Sequence, residues 1–312
     1  MSIVLGLLGG LVLLVLAGDA LVRGAVALSL RLGIPALIVS LTVVAFGTSA
    51  PELVISVGAA LKGASGIAVG NVVGSNIANV LLVLGVPALM AGLGRTKGDI
   101  RASFLMMMAA TLLFGGLALN GSISRLDGLI LLAGLAAMLA YSIHHARSAR
   151  DIAALNAPVP PVEDLPVYRL VFYLLFGLVG LPVGAQIFVN SAVELARLYE
   201  IPEEIIGLTL VAIGTSLPEL ATTVMAAIRR QADVVLGNVI GSNLFNILGI
   251  LGVTAVVTPL PVPGDILRFD FWVMLASALV LGALVYTSLR LTRPVGAVLT
   301  GLYVAYTLVL LA

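Results

Sequence analysis

Polar residues are sparse along this chain and gather in short clusters between long apolar runs. Each run is about 20 residues or more, the length a helix needs to cross the hydrocarbon core of a bilayer. The runs predict ten transmembrane helices, over 3–30, 35–61, 67–93, 101–120, 125–145, 167–198, 203–228, 234–258, 269–290 and 295–312. Met1 to Gly18 lacks a basic n-region and reads as the start of a span, not as a cleaved leader. One long polar connection, Ser148 to Pro166, carries Pro158, Pro160, Pro161, Glu163 and Asp164. It predicts a linker. The expected organisation is therefore a five-helix repeat over 1–147, a linker over 148–166 and a second five-helix repeat over 167–312.

The two halves are related in sequence. Residues 45–85 align without a gap to residues 212–252, at a constant offset of 167, with 20 identities in 41 positions. AFGTSAPEL matches AIGTSLPEL, and GNVVGSNIANVLLVLG matches GNVIGSNLFNILGILG. The identities concentrate at Gly, Ser, Thr, Asn, Pro and Glu, so shared hydrophobicity does not explain them. With an odd number of helices per half, the second copy must enter the membrane from the opposite side. Inverted repeats of this kind place a substrate site near the midplane, between the halves. The expected fold is an all-α membrane protein of ten transmembrane helices in two inverted repeats, with broken helices at an ion site.

The polar clusters say what that site is made of. Each half has Gly-Thr-Ser-x-Pro-Glu inside an apolar run, ending in Glu52 and in Glu219. Proline has no N–H and clashes with the carbonyl four residues back. Pro51 and Pro218 should therefore break their helices and free carbonyls near Gly47 and Thr48, and near Gly214 and Thr215. Irregular backbone at membrane depth is tolerated where it is buried or lines a cavity. Thr48 and Glu52 share a helix face, as do Ser75 and Asn79 at the same i, i+4 spacing. The other half supplies Thr215, Ser216, Glu219, Ser242 and Asn246.

Composition and charge sharpen this. The chain of 312 residues is 61% hydrophobic and 10% charged, against roughly 25% charged in soluble domains. Net charge is +1 and no basic cluster suggests nucleic acid. No cysteine is present, which excludes disulfides, thiolate metal sites and cysteine nucleophiles. No HExxH or GxSxG motif suggests an enzyme. An ionisable group at the bilayer centre costs about 3 kcal/mol on insertion scales. Residues 32–61, 63–94, 198–228 and 231–267 contain no Lys or Arg, so the two glutamates call for a cation or protons, and an anion site is excluded. The donors are all oxygens, which suit a hard cation. Calcium takes 6–8 oxygens in flexible geometry, but oxygen donors alone do not separate it from magnesium or manganese.

Lys and Arg also orient the chain. Twelve of the 16 fall on the side of the linker and four, Lys62, Arg125, Arg197 and Arg268, on the side of the termini. This predicts a multi-pass protein of the cell (inner) membrane with both termini outside and the linker cytoplasmic.

The paired GTSAPEL…GNVVGSNIAN and GTSLPEL…GNVIGSNLFN segments resemble the two alpha repeats of the sodium/calcium exchangers, in the calcium:cation antiporter superfamily. The resemblance implies an antiporter, not an enzyme, that exchanges Na⁺ for Ca²⁺ by alternating access, works as a monomer and needs no cofactor. It implies calcium binding by Glu52 and Glu219 with the backbones of Thr48 and Thr215. It implies sodium positions at Ala45, Ser49, Ser75, Ala212, Ser216 and Ser242, and central amides at Asn79 and Asn246. Potassium-dependent members carry Asp where this chain has Asn246, which argues against potassium transport. A proton-coupled exchanger of the same fold is the alternative, and GTS-x-PE points away from it.

Other polar residues read as structural. Asp19 and Arg23, at i, i+4, form an expected ion pair. Gly70, Gly74, Gly237 and Gly241 are expected to serve close helix packing, and Asn71, Asn76, Asn238 and Asn243 to brace helices. Met106, Met107 and Met108 read as filler, His144 and His145 as interfacial, and Trp272 as an interface anchor.

Overall fold

A computed structural model describes residues 2–92, 94, 100–156, 165–200, 212–287 and 291–311. These residues are almost wholly helical. In chain order they form α1 (Ser2–Leu32), α2 (Ala36–Thr48), α3 (Ala50–Leu61), α4 (Ser65–Ala91) and α5 (Arg101–Ala118). Then follow α6 (Arg125–Asn156), α7 (Val167–Leu198), α8 (Ala212–Thr215) and α9 (Leu217–Ile228). The chain ends with α10 (Ala232–Val257), α11 (Ile266–Tyr286) and α12 (Arg293–Leu311). Two short strands, β1 (Ser122–Ile123) and β2 (Leu260–Pro261), pair antiparallel.

The solvation pattern is that of a membrane protein. Leu5, Leu8, Leu11, Val12 and Leu16 of α1 face outward, while Glu52, Glu219, Asn79, Asn238 and Asn246 are buried. Among the described residues eight helices are long and apolar enough to cross a membrane, or nine if α2 and α3, bent by 44°, count as one span. Of the span expected over 203–228, residues 201–211 lie outside the described residues, and α8 and α9 supply the rest. α6 continues to Asn156, into the segment expected as a linker, because Ser148 to Asn156 holds good helix formers, with proline first at Pro158.

Apolar packing forms two clusters, which α1 and α2 bridge: Val22 of α1 lies in the larger, and Val39 and Val44 of α2 in the smaller. α4 and α10 are the centre, with 78% and 89% of their apolar windows buried, against 11% for α12. They anchor a large cluster that includes Val69, Val73, Ile77, Val239, Ile240 and Leu251. A second, separate cluster joins α1 and α7 through Leu14, Ala17, Leu21 and Ala25 on one side and Leu181 and Ala185 on the other. The two helices touch at backbone level where Gly10 meets Gly184, and a Cβ on Gly10 would lie 2.9 Å from the Gly184 carbonyl oxygen.

The sequence offset reappears in the backbone and extends beyond the aligned motifs. Ser49 has φ −85°, ψ 5° and Ser216 has φ −85°, ψ 3°. Gly33 (φ 66°) corresponds to Glu200 (φ 55°), and Gly63 (φ 76°) to Arg230 (φ 58°). All four sit in the left-handed region that ends helices. The correspondence thus covers α1 with α7, α2–α3 with α8–α9, and the turns after them.

Candidate cation site

The two broken helices build the centre. Residue 51, whose amide would pair with the Gly47 carbonyl, is proline, and Pro218 does the same to Gly214. The chain turns at Ser49 and Ser216, and a new helix starts with proline in its first turn, where the missing N–H costs nothing. Glu52 and Glu219 lie in those first turns, at the helix ends whose unpaired amides favour negative charge. Both carboxyl side chains are 1% exposed.

The halves interlock around them. Ser49 Oγ of the first half donates to Glu219 Oε1 of the second at 3.1 Å. Thr48 Oγ1 donates to Asn238 Oδ1 at 3.3 Å, and Asn238 Nδ2 donates to Thr223 Oγ1 at 3.2 Å. The equivalent Asn71 donates to Ser56 Oγ at 3.0 Å and to the Glu52 carbonyl at 3.3 Å. Asn71 and Asn238 are therefore braces for the broken segments, as expected. α10 sits directly on α2: a Cβ on Gly237 would lie 2.8 Å from the Leu37 carbonyl oxygen, and one on Gly241 2.6 Å from Ala45 Cβ. The packing role expected of the four glycines holds for this pair. Among the described residues nothing lies within 4 Å of a Cβ at Gly74, and one at Gly70 reaches Ile266 at 3.9 Å.

Several buried polar atoms on these helices lack hydrogen-bond partners among the described residues. Glu52 Oε2, Glu219 Oε2, Asn79 Oδ1, Ser216 Oγ, Ser242 Oγ and both polar atoms of Asn246 are buried and unpaired among the described residues. Buried polar groups are normally satisfied, so this set is one that a cation would complete. Ser75, Thr48 and Thr215 are buried with it. Ala45 is also buried, and its carbonyl already accepts the Ser49 N–H at 3.0 Å and Thr48 Oγ1 at 3.3 Å. Ala212 begins α8.

Two features escape sequence reading. Asn79 and Asn246 lie in π-helical turns, Asn79–Val83 and Phe245–Leu251. Such turns widen a helix by one residue and recur at functional sites. Met107, expected as filler, accepts from Asn243 Nδ2 at 3.5 Å, and Asn243 Oδ1 accepts Asn79 Nδ2 at 3.0 Å. A thioether sulfur can only accept. It turns the Asn243 nitrogen toward itself, which directs the Asn243 oxygen at Asn79 and leaves Asn79 Oδ1 unpaired.

This chain matches the model of the sodium/calcium exchanger protein family over residues 2–144 and 169–312. It belongs to the sodium/calcium exchanger family. It is 36% identical to the sodium/calcium exchanger MaX1 of Methanosarcina acetivorans, over 97% of each chain. It is 37% identical to the putative antiporter CaxA of Alkalimonas amylolytica, over 91% of this chain and 89% of that one. Among solved structures, the sodium-calcium exchanger NCX_Mj soaked with zero Na⁺ and Ca²⁺ superposes with a TM-score of 0.85 at 31% identity, covering 99% of both chains. The family membership makes this a membrane cation antiporter.

Proposed function

We propose that this protein exchanges Na⁺ for Ca²⁺ by alternating access, with Ca²⁺ held between Glu52 and Glu219. The observation that carries the reading is the pair of buried carboxylates on broken helices, each with a carboxylate oxygen that lacks a partner among the described residues. Thr48 and Thr215 would add backbone oxygens. Na⁺ would use Ser49, Ser75, Ser216 and Ser242, with the carbonyls of Ala45 and Ala212 and the amides of Asn79 and Asn246 beside them. The Ala45 carbonyl would first have to release a hydrogen bond. Two carboxylates neutralise one divalent ion, and sodium ions that take over the same charge displace it. That competition couples the two fluxes. The names of relatives, an exchanger of sodium and calcium among them, favour sodium as the driving ion; the putative antiporter leaves the ion unnamed.

Ten spans in two inverted halves fit the strand pairing. β1 and β2 pair, so the connections at Ile123 and Leu260 lie on one side of the membrane. An even number of crossings must then separate them. α6, α7 and α10 supply three, and the segment ending in α9 supplies the fourth. The charge distribution would place that strand pair outside and the linker in the cytoplasm, and a relative named as an inner membrane protein supports a cell-membrane location.

The test is calcium uptake into proteoliposomes loaded with Na⁺, against vesicles loaded with K⁺ or given a pH gradient. Uptake driven by Na⁺ loading alone is expected. Uptake that follows only the pH gradient would replace this reading with proton coupling.

A further inference from the structure

An ion pair crosses the contact between α1 and α9. α1 crosses α9 where Gly18 meets Ala221, at 3.1 Å from a Cβ on Gly18 to the Ala221 carbonyl oxygen. Just beyond that crossing, Asp19 of α1 pairs with Arg23 at 2.9 Å and also with Arg229, which caps the C-terminal end of α9. One carboxylate is thus shared by two guanidinium groups, one on its own helix and one at the end of the other. The Asp19 side chain is 20% exposed and that of Arg229 33%, so solvent screens the pair only in part.

The same three positions exist in the other half, at the offset of 167. They are Gln186, Asn190 and Lys62. Gln186 donates to Asn190 at 2.7 Å within α7, and all three are exposed. Lys62, the equivalent of Arg229, makes no ion pair among the described residues. The sequence difference and the structural difference agree: the trio with a carboxylate is closed across the α1/α9 contact, and its counterpart, which has Lys62 but no carboxylate, is not closed among the described residues.

We infer that Asp19 and Arg229 form a latch that holds α1 against α9 on the linker side and so favours the conformation closed to that side. This rests on the alternating-access reading, with α1 and α7, which pack on each other, taken as the part that moves against the rest. Movement of α1 along α9 must break the Asp19–Arg229 pair, whereas the equivalent positions Gln186, Asn190 and Lys62 form no ion pair among the described residues. The two faces of the transporter should therefore open with unequal ease.

The test uses the full chain, which has no native cysteine, carrying Thr222→Cys. Thr222 is fully buried beside the Gly18 crossing. The readouts are labelling of the introduced thiol by a membrane-impermeant reagent from the linker side, and apparent Ca²⁺ KM on each face of oriented vesicles. Arg229→Gln and Asp19→Asn should each speed labelling about tenfold. They should lower the linker-side KM and raise the opposite one. The double variant should label like either single one, because each removes the one pair that joins α1 to α9, the Asp19–Arg23 pair lying within α1. Arg229→Lys keeps the charge and should label like the parent, which separates latch loss from misfolding. Unchanged labelling in the neutral variants, or effects that add in the double variant, would overturn the latch. Labelling needs no transport, so it decides the latch even if Na⁺-driven Ca²⁺ uptake by the unmodified protein fails. That failure would count against the exchange reading alone.

Discussion

Exchanging either central carboxylate for its neutral isostere is the most direct perturbation of the proposed site. Glu52 and Glu219 are 1% exposed, so neither is well screened by water. At a calcium–oxygen separation of about 2.4 Å and an effective dielectric of about 20, each unit charge attracts Ca²⁺ with about 14 kcal/mol gross. Desolvation of ion and carboxylate cancels most of that. What survives when one partner of a buried charge pair is removed is about 2–5 kcal/mol, or roughly thirty- to several-thousand-fold in affinity. Glu52→Gln and Glu219→Gln should therefore abolish measurable ⁴⁵Ca²⁺ uptake at micromolar Ca²⁺. The folded state should survive, because glutamine keeps shape, and at 219 its oxygen still accepts from Ser49. The assay is uptake into Na⁺-loaded proteoliposomes, with monodispersity in detergent as the folding control. Uptake within threefold of the parent by either folded variant would refute the placement of calcium between these residues.

Further expectations concern coupling, orientation and support. Protons compete with Ca²⁺ for the same carboxylates, so apparent Ca²⁺ affinity should fall as pH drops from 8 to 5.5; a flat profile would contradict shared binding. Ser148→Cys should react only from the cytoplasm and Leu119→Cys, beside β1, only from outside, and the reverse pattern would invert the orientation. The parent should exchange Na⁺ for Ca²⁺ without K⁺, and Asn246→Asp should make flux sensitive to K⁺ or protons. A strict K⁺ requirement in the parent would show that the amide at 246 does not decide selectivity. Asn238→Ala removes two buried hydrogen bonds, about 1 kcal/mol each. It should raise the Ca²⁺ KM about thirtyfold, and an unchanged KM would remove Asn238 from the brace.

Much of this was legible before any coordinates, for identifiable reasons. Lipid leaves a strong hydropathy signature, and a proline inside an apolar run announces a broken helix, so the turns at Ser49 and Ser216 were readable. The repeat told which residues correspond. It could not tell where correspondence fails. Asn79 is held by Asn243, yet Asn246 is not held by Asn76, because a single conformation breaks the symmetry that the sequence preserves. Gly237 and Gly241 pack tightly while Gly74 does not, for the same reason. Arg229 lies 210 residues from Asp19, and no periodicity links them. The π-helical turns at Asn79 and Asn246 leave no mark in composition.

The length of α1 has a consequence for how it can move. Its 31 residues measure about 46 Å at 1.5 Å per residue, against a hydrocarbon core of about 30 Å. α7, with 32 residues, is as long. Each helix therefore carries about three turns more than the bilayer requires. Such mismatch is absorbed by tilt, at fractions of a kcal/mol per Å. It also acts as a reserve: a helix this long can advance by one turn, about 5.4 Å, while its apolar surface still fills the core from edge to edge. Translation of α1 and α7 would expose little new apolar surface to water, so the lipid opposes it weakly. The response to membrane thickness should be correspondingly shallow.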